Sequence, residues 1–291
     1  MKSDLQKICL GSANFGKNYG YKNSKVKKKE FSKIFKYARY KKINYIDTAF
    51  NYTNSQKIIG KHSVNFKIIT KIPKISNSVS KPELWIKKII TKSLKDLNTK
   101  KLYAVLFHYP PYQIDKKKFV RIINCLEDLK KKGIIKKIGI SAYSMDEIKK
   151  SFLIYKFEIV QFQANILDQN ILKNAYVKFL KEKKGVEIHI RSIFLQGLLL
   201  CNISDIPSRF SNLKETLIVF DDWVKKNKIS KLSACLKYIF SFTFIDKIIL
   251  GTNNYLQFKQ TVQAIEKING KLNLPKKIKN INSSKLNPKN W

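Results

Sequence analysis

The feature that most constrains this chain is an alternation that runs almost from end to end. Short runs rich in Ile, Val and Phe are each followed by a longer stretch whose apolar residues recur at helical spacing. Short, nearly continuous apolar runs suit strands buried on both faces, and parallel neighbours in such a sheet need a crossover helix between them. Eight runs stand out, at 7–11, 44–48, 66–70, 102–107, 136–141, 157–163, 186–191 and 245–250. Between them, Phe31, Ile34, Phe35 and Ala38 share one helical face, as do Ile86, Ile89, Ile90, Leu94 and Leu97, and Phe119, Ile122, Ile123, Leu126 and Leu129. Ser80 with Glu83, and Ser144 with Glu147, have capping-box spacing, and Pro82 suits a first turn. Gly133 reads as a C-cap, and Gly185 as a break before the seventh strand. The stretch 204–242 holds about two helices, and the last helix is expected near 255–268.

Eight strands, each followed by helical sequence, predict an α/β chain folded as a closed (β/α)8 barrel of TIM type. It is read as a single domain over 1–291, with an irregular Lys/Asn-rich tail at about 270–291. The alternative, an open doubly wound sheet, would place a Gly-rich phosphate turn after the first strand. Residues 11–16, Gly-Ser-Ala-Asn-Phe-Gly, have two glycines at the wrong spacing for that turn.

The formal charge of +39 first suggests a polyanion as partner. Yet 55 of the 59 cationic residues are Lys, spread along the whole chain, and the arginines number four. Base-reading surfaces favour the bidentate Arg fork. Abundant Lys, Asn and Ile together follow from A/T-rich codons, so no specific nucleic acid partner is expected, only weak, salt-sensitive attraction of anions. Cys9, Cys125, Cys201 and Cys235 lack zinc spacing and are expected to be buried thiols, with no metal site. No apolar run approaches the roughly 18 residues of a membrane span, and no secretory pattern opens the chain. A cytoplasmic protein, monomeric or weakly oligomeric, is the expectation.

Active sites of such barrels form at the C-terminal strand ends. There the second strand offers Asp47, with Tyr52 in the next loop, the third offers Lys71 and the fourth His108. Taken singly, each has a structural explanation in capping, packing or solvation. Together they suit carbonyl reduction, in which oxygen gains negative charge and needs a proton donor. A Tyr hydroxyl can donate, a neighbouring ammonium such as Lys71 would lower its pKa, Asp47 can anchor Lys71, and His108 can orient the carbonyl.

These residues also resemble a family. Tyr45-Ile46-Asp47-Thr48-Ala49-Phe50-Asn51-Tyr52, Ile68-Ile69-Thr70-Lys71 and Leu106-Phe107-His108 are similar to the tetrad segments of the aldo-keto reductases, in order and over nearly the whole chain. The resemblance implies an NAD(P)H-dependent oxidoreductase acting on a small-molecule carbonyl compound. It implies Ser141 and Gln161 at the nicotinamide carboxamide, with Ala142 where the family often has Asn. Arg191, Ser192, Phe194, Gln196 and Gly197 would lie along the pyrophosphate, with Ile193 or Phe194 available to stack on the nicotinamide. Gly251, Thr252, Asn253 and Gln257 would lie at the adenosine end, and NADPH is the implied cofactor, with NADH as the alternative. Asn14, Phe15, Tyr19, Tyr21, Tyr109 and Phe194 are candidates to line a substrate pocket, and the segments 14–21 and 191–200 are similar to bacterial members associated with modified sugars. A non-catalytic nicotinamide sensor of the same fold is the competing account.

Overall fold

The computed structural model describes residues 2–62 and 65–269, together with 272, 274, 278 and 286. Eight strands pair in sequence order, all parallel, and β8 pairs back onto β1 to close a barrel. They are β1 (Ile8–Gly11), β2 (Tyr45–Asp47), β3 (Lys67–Ile72), β4 (Leu102–Phe107), β5 (Ile135–Ala142), β6 (Ile159–Gln163), β7 (Glu187–Arg191) and β8 (Lys247–Leu250). Around them lie α1 (Lys2–Gln6), α2 (Lys28–Tyr40), α3 (Ser55–Gly60), α4 (Pro82–Asp96), α5 (Lys116–Lys131), α6 (Met145–Ile154), α7 (Ala175–Lys184), α8 (Ser211–Lys226), α9 (Lys231–Phe240) and α10 (Tyr255–Glu266). Closure leaves no exposed sheet edge.

The alternation along each strand explains the two apolar layers. Ile8, Leu10, Ile46, Ile68, Val105, Ile140 and Ile188 face the helices and join the main core. Cys9, Ile69, Ala104, Leu106 and Ile159 point inward and form a separate plug in the lumen. Below this plug, toward the N-terminal strand ends, Tyr103 Oη and Lys137 Nζ each donate to Glu187 Oε1 at 2.6 Å across the lumen. Above it, at the C-terminal ends, Asp47, Lys71 and Gln161 are buried together.

Several local expectations shift. The third strand runs on to Ile72, so Lys71 lies inside the ladder, opposite Leu106. The first, second, sixth, seventh and eighth strands are shorter than the runs that mark them: Phe157, Val186 and Ile245 are buried beside their ladders without joining them, and Lys7 and Asn44, before the first two ladders, are polar. The Ser80–Glu83 box does not form. Lys81 precedes α4 without a side-chain cap, because Glu83 instead pairs with Arg121 of α5 at 2.8 Å, and the same arginine bonds the Ser80 carbonyl. The Ser144 cap does form, accepting from Glu147 N–H at 3.1 Å, while Glu147 accepts from Tyr143 N–H. Gly133 and Gly185 both adopt positive φ after their helices. All four cysteines are buried and unpaired. Helix α1, five residues long, is too short to show a period in the sequence. The tail expected at about 270–291 lies outside the described residues except at four positions, of which Ile278 and Leu286 are buried in the main core. Among the described residues no helix is long and apolar enough to cross a membrane.

Candidate active site

β2 ends at Asp47, which stands in register with Gly11 of β1 and Ile69 of β3. Its carboxylate is fully engaged: Lys71 Nζ lies 2.5 Å from Oδ1, and Gln161 Nε2 donates to Oδ2 at 2.8 Å. Lys71 also donates to the Thr48 carbonyl at 3.0 Å. Only 1% of Lys71 is exposed, in a chain with 55 lysines. A buried ion pair carries a desolvation cost that its attraction often only offsets, so this one is weak evidence for stability and better evidence for chemistry.

Tyr52 sits in the loop between β2 and α3, where its N–H bonds the Ala49 carbonyl and its own carbonyl accepts from Ser55 N–H. Its ring meets the His108 ring edge-on, with centroids 5.8 Å apart, and Lys71 Nζ lies 5.6 Å from the Tyr52 centroid. His108, one residue past β4, bonds through its N–H to the Ile72 carbonyl. The four side chains named from the sequence are thus brought to one rim. One expected detail is corrected: the Tyr52 pKa is pushed well up, not down. Burial raises it most, and the Asp47 carboxylate adds to that. Lys71 is bound to Asp47 and does not offset that rise. Arg191, from β7, acts in the other direction and lowers it.

An open cleft of about 910 Å³, counting its mouth, runs from Tyr52 and Asp47 to Gly251 and Gln257. Arg191, Ser192, Phe194, Gln196, Gly197, Thr252 and Asn253 also line it. Ser192, Leu195, Gln196 and Gly197 all have positive φ, a strained run of the kind that clusters at ligand sites. Gly197 is required there, at φ +97°, with the Tyr21 ring where a Cβ would point. At the far end Asn254 caps α10 by accepting from Gln257 N–H, and Gln257 Oε1 accepts from Asn253 N–H. Ser141 and Gln161 face each other in the β5–β6 register, below the cleft. Gln161 Oε1 is buried and has no hydrogen-bond partner. Ala142 lacks a side-chain amide, and its carbonyl accepts from Arg191 instead, at 3.2 Å.

Of the residues suggested for a substrate pocket, Asn14, Tyr19, Tyr21 and Phe194 line the cleft. Phe15 does not; it is 2% exposed and packs on Phe31 and Phe35. Tyr109 lies in a second groove beside His108, with Lys74 and Lys118. Sequence reasoning missed Tyr143, over whose ring the Arg191 guanidinium sits at 4.1 Å. Its position just beyond the end of β5 was the available signal. It also missed Ser12, whose hydroxyl donates to the Asp47 carbonyl at 2.9 Å.

The family model "Aldo/keto reductase family" matches residues 7–273. No curated protein matches the chain. Among solved structures it is similar to aldo-keto reductase AKR11C1 from Bacillus halodurans in its holo form, at 20% identity and TM-score 0.71, covering 92% of this chain and 88% of that one. It is also similar to PA4992 of Pseudomonas aeruginosa, an aldo-keto reductase by description, at 18% identity and TM-score 0.63, covering 89% of each. At these identities the structures speak for the fold, and the family match speaks for descent. The chain belongs to the aldo/keto reductase family, and so to a class of oxidoreductases that work on carbonyl compounds with nicotinamide cofactors.

Proposed function

We propose that this protein reduces an aldehyde or ketone to an alcohol with Tyr52 as the general acid. The observation that carries the reading is the rim itself, where a buried Lys71–Asp47 pair lies beneath a tyrosine whose ring meets His108. When bound, the reduced nicotinamide is the source of the hydride that goes to the carbonyl carbon. The carbonyl oxygen gains negative charge as this happens, and the proton it needs comes from Tyr52 Oη. Burial holds the phenol above its ordinary pKa of about 10, which keeps it protonated across the neutral range but makes it the weaker acid, so transfer is driven by the basicity of the alkoxide that hydride delivery creates. His108, beside Tyr52, orients the carbonyl oxygen by hydrogen bonding. Asp47 fixes Lys71 beneath the Tyr52 ring.

The cofactor fits an unsatisfied atom. Gln161 Oε1 is a buried acceptor without a donor, which a carboxamide N–H would supply, and Ser141 stands beside it. Arg191, Ser192, Phe194, Gln196 and Gly197 would follow the pyrophosphate, and Gly251, Thr252, Asn253 and Gln257 the adenosine end. The family habit favours NADPH. One observation favours NADH: Glu30 of α2 accepts from Tyr255 N–H at 2.8 Å, at the start of α10, and none of the cleft residues from 251 to 257 is a cation. A carboxylate there opposes a second phosphate. The ratio of kcat/KM for the two cofactors decides the matter, and a strong preference for NADPH removes the Glu30 argument.

A cytoplasmic, monomeric or weakly oligomeric enzyme acting on a sugar-type or other small carbonyl compound completes the proposal. Its central test is Tyr52→Phe, which removes the proton donor and keeps the ring. Reduction of an aldehyde panel should fall about a thousandfold, within the range expected for a positioned acid, with cofactor affinity by fluorescence titration unchanged. Near-normal turnover would eliminate Tyr52 as the acid. A chain that binds cofactor and never oxidises it with any aldehyde would be the sensor instead.

A further inference from the structure

Two ammonium groups flank the Tyr52 ring. Lys71 Nζ is 5.6 Å from the ring centroid and Lys17 Nζ is 5.5 Å from it. The first is neutralised by Asp47. The second belongs to an exposed residue that forms no ion pair among the described residues.

The backbone that carries Lys17 is held in place. A Cβ on Gly16 would lie 2.7 Å from Tyr52 O, Asn54 N and Ser55 N, so the loop after β1 rests directly on the Tyr52 turn. Ser55 Oγ ties the same two segments together, donating to Ser12 O at 3.0 Å and lying 2.8 Å from Ser12 Oγ. Lys22 and Arg191 line the cleft itself; Arg191 is held by Tyr143 and by the Ala142 carbonyl, and it too forms no ion pair among the described residues. Asp168 lies within its field, but burial pushes that carboxyl's pKa up and Gln163 holds it at 2.7 Å. Among the described residues Asp47 is the one acid lining the cleft, and both its oxygens are taken.

We infer that the carbonyl substrate carries an anionic group, carboxylate or phosphate, within a few bonds of the reacting carbon, and that Lys17 recognises it. The inference rests on the reductase reading and names the substrate class of that same site. The cofactor's own phosphates do not account for Lys17, because that reading places the pyrophosphate along Arg191 to Gly197 and the adenosine end at Gly251 to Gln257, whereas Lys17 stands over the proton donor. A mobile ammonium on a fixed backbone suits an anion whose position varies among substrates, and a strongly positive chain raises the local concentration of anions.

The test compares aldehydes that share a skeleton and differ in charge: 4-carboxybenzaldehyde against methyl 4-formylbenzoate, and glyceraldehyde 3-phosphate against glyceraldehyde. Cofactor oxidation is followed for the wild type and for Lys17→Met. At least one anion should exceed its neutral partner in kcat/KM, and the anion-to-neutral ratio should fall about tenfold in Lys17→Met, equivalent to about 1.4 kcal/mol. That ratio should also shrink as salt rises from low to moderate concentration, which loss of packing alone would not produce. The two pairs separate a carboxylate reader from a phosphate reader. Ratios near one in the wild type, or ratios that Lys17→Met leaves unmoved, overturn the inference while neutral turnover keeps the reductase reading. Cofactor oxidation by no aldehyde overturns both.

Discussion

The barrel holds a carboxylate at each end, and the two differ in what surrounds them. At the N-terminal end Glu187 accepts from Tyr103 and Lys137 through one oxygen, and His189 Nε2 lies 3.1 Å from the other. These partners hold its pKa far below the usual carboxylate range in spite of burial, and none of the four residues lines the cleft. At the C-terminal end Asp47 is equally engaged, by Lys71 and Gln161. There, however, Asp47 itself lines the cleft, and the 192–197 segment of the same cleft holds strained backbone angles. Each cluster keeps one buried polar atom without a partner, His189 Nδ1 below and Gln161 Oε1 above, so it is the cleft at Asp47 that separates them. The comparison separates a carboxylate that serves the fold from one that serves the chemistry.

The sharpest way to break it is a pair of variants. Asp47→Asn should lower kcat/KM for an aldehyde about a hundredfold, whereas Glu187→Gln should leave turnover per folded molecule within about twofold. Equal losses would collapse the distinction. In stability, Glu187→Gln strips the charge from a partly buried pair and should cost about 2 kcal/mol in urea unfolding, below the usual cost of breaking a fully buried pair because Lys137 keeps 22% of its side chain exposed.

The same glutamate predicts a pH dependence. Its folded pKa is depressed below the unfolded value of about 4.3, so its stabilisation is complete above that value and is lost as pH falls through the folded pKa. Between about pH 5 and pH 2.5 the wild type should therefore lose stability more steeply than Glu187→Gln; parallel curves would place the shifted group elsewhere. The smallest effect is expected at the rim's strained loop. Gly197→Ala puts a side chain at φ +97° against Tyr21 and should cost about 1 kcal/mol, with cofactor KM rising a few-fold. A silent substitution would mean that the loop relaxes freely.

Much of this was legible in the residues. Asp47, Lys71 and His108 could be placed because strand ends are marked by where apolar runs stop, and Tyr52 because it follows Asp47 within one loop. The inward and outward faces of the strands follow from period two alone. Other features left no local trace. The Ser80–Glu83 spacing is sound, yet Arg121, 38 residues after Glu83 in sequence, draws Glu83 away. Phe15 lies among loop residues that line the cleft, yet it turns into the core because Phe31 and Phe35 wait there. Lys17 was one lysine among 55 until Gly16 laid its loop on the Tyr52 turn.

Sequence by itself therefore determined the barrel, its single-domain plan and the four side chains at its rim, because periodicity and strand order are local properties of a chain. Tertiary structure alone decided which charges cancel. Lys71 lies against Asp47 and Lys17 stands unpaired over the same ring, so two lysines of equal chemistry acquire different consequences. Coulomb energy depends on distance through space and on burial, and neither is written in the order of residues.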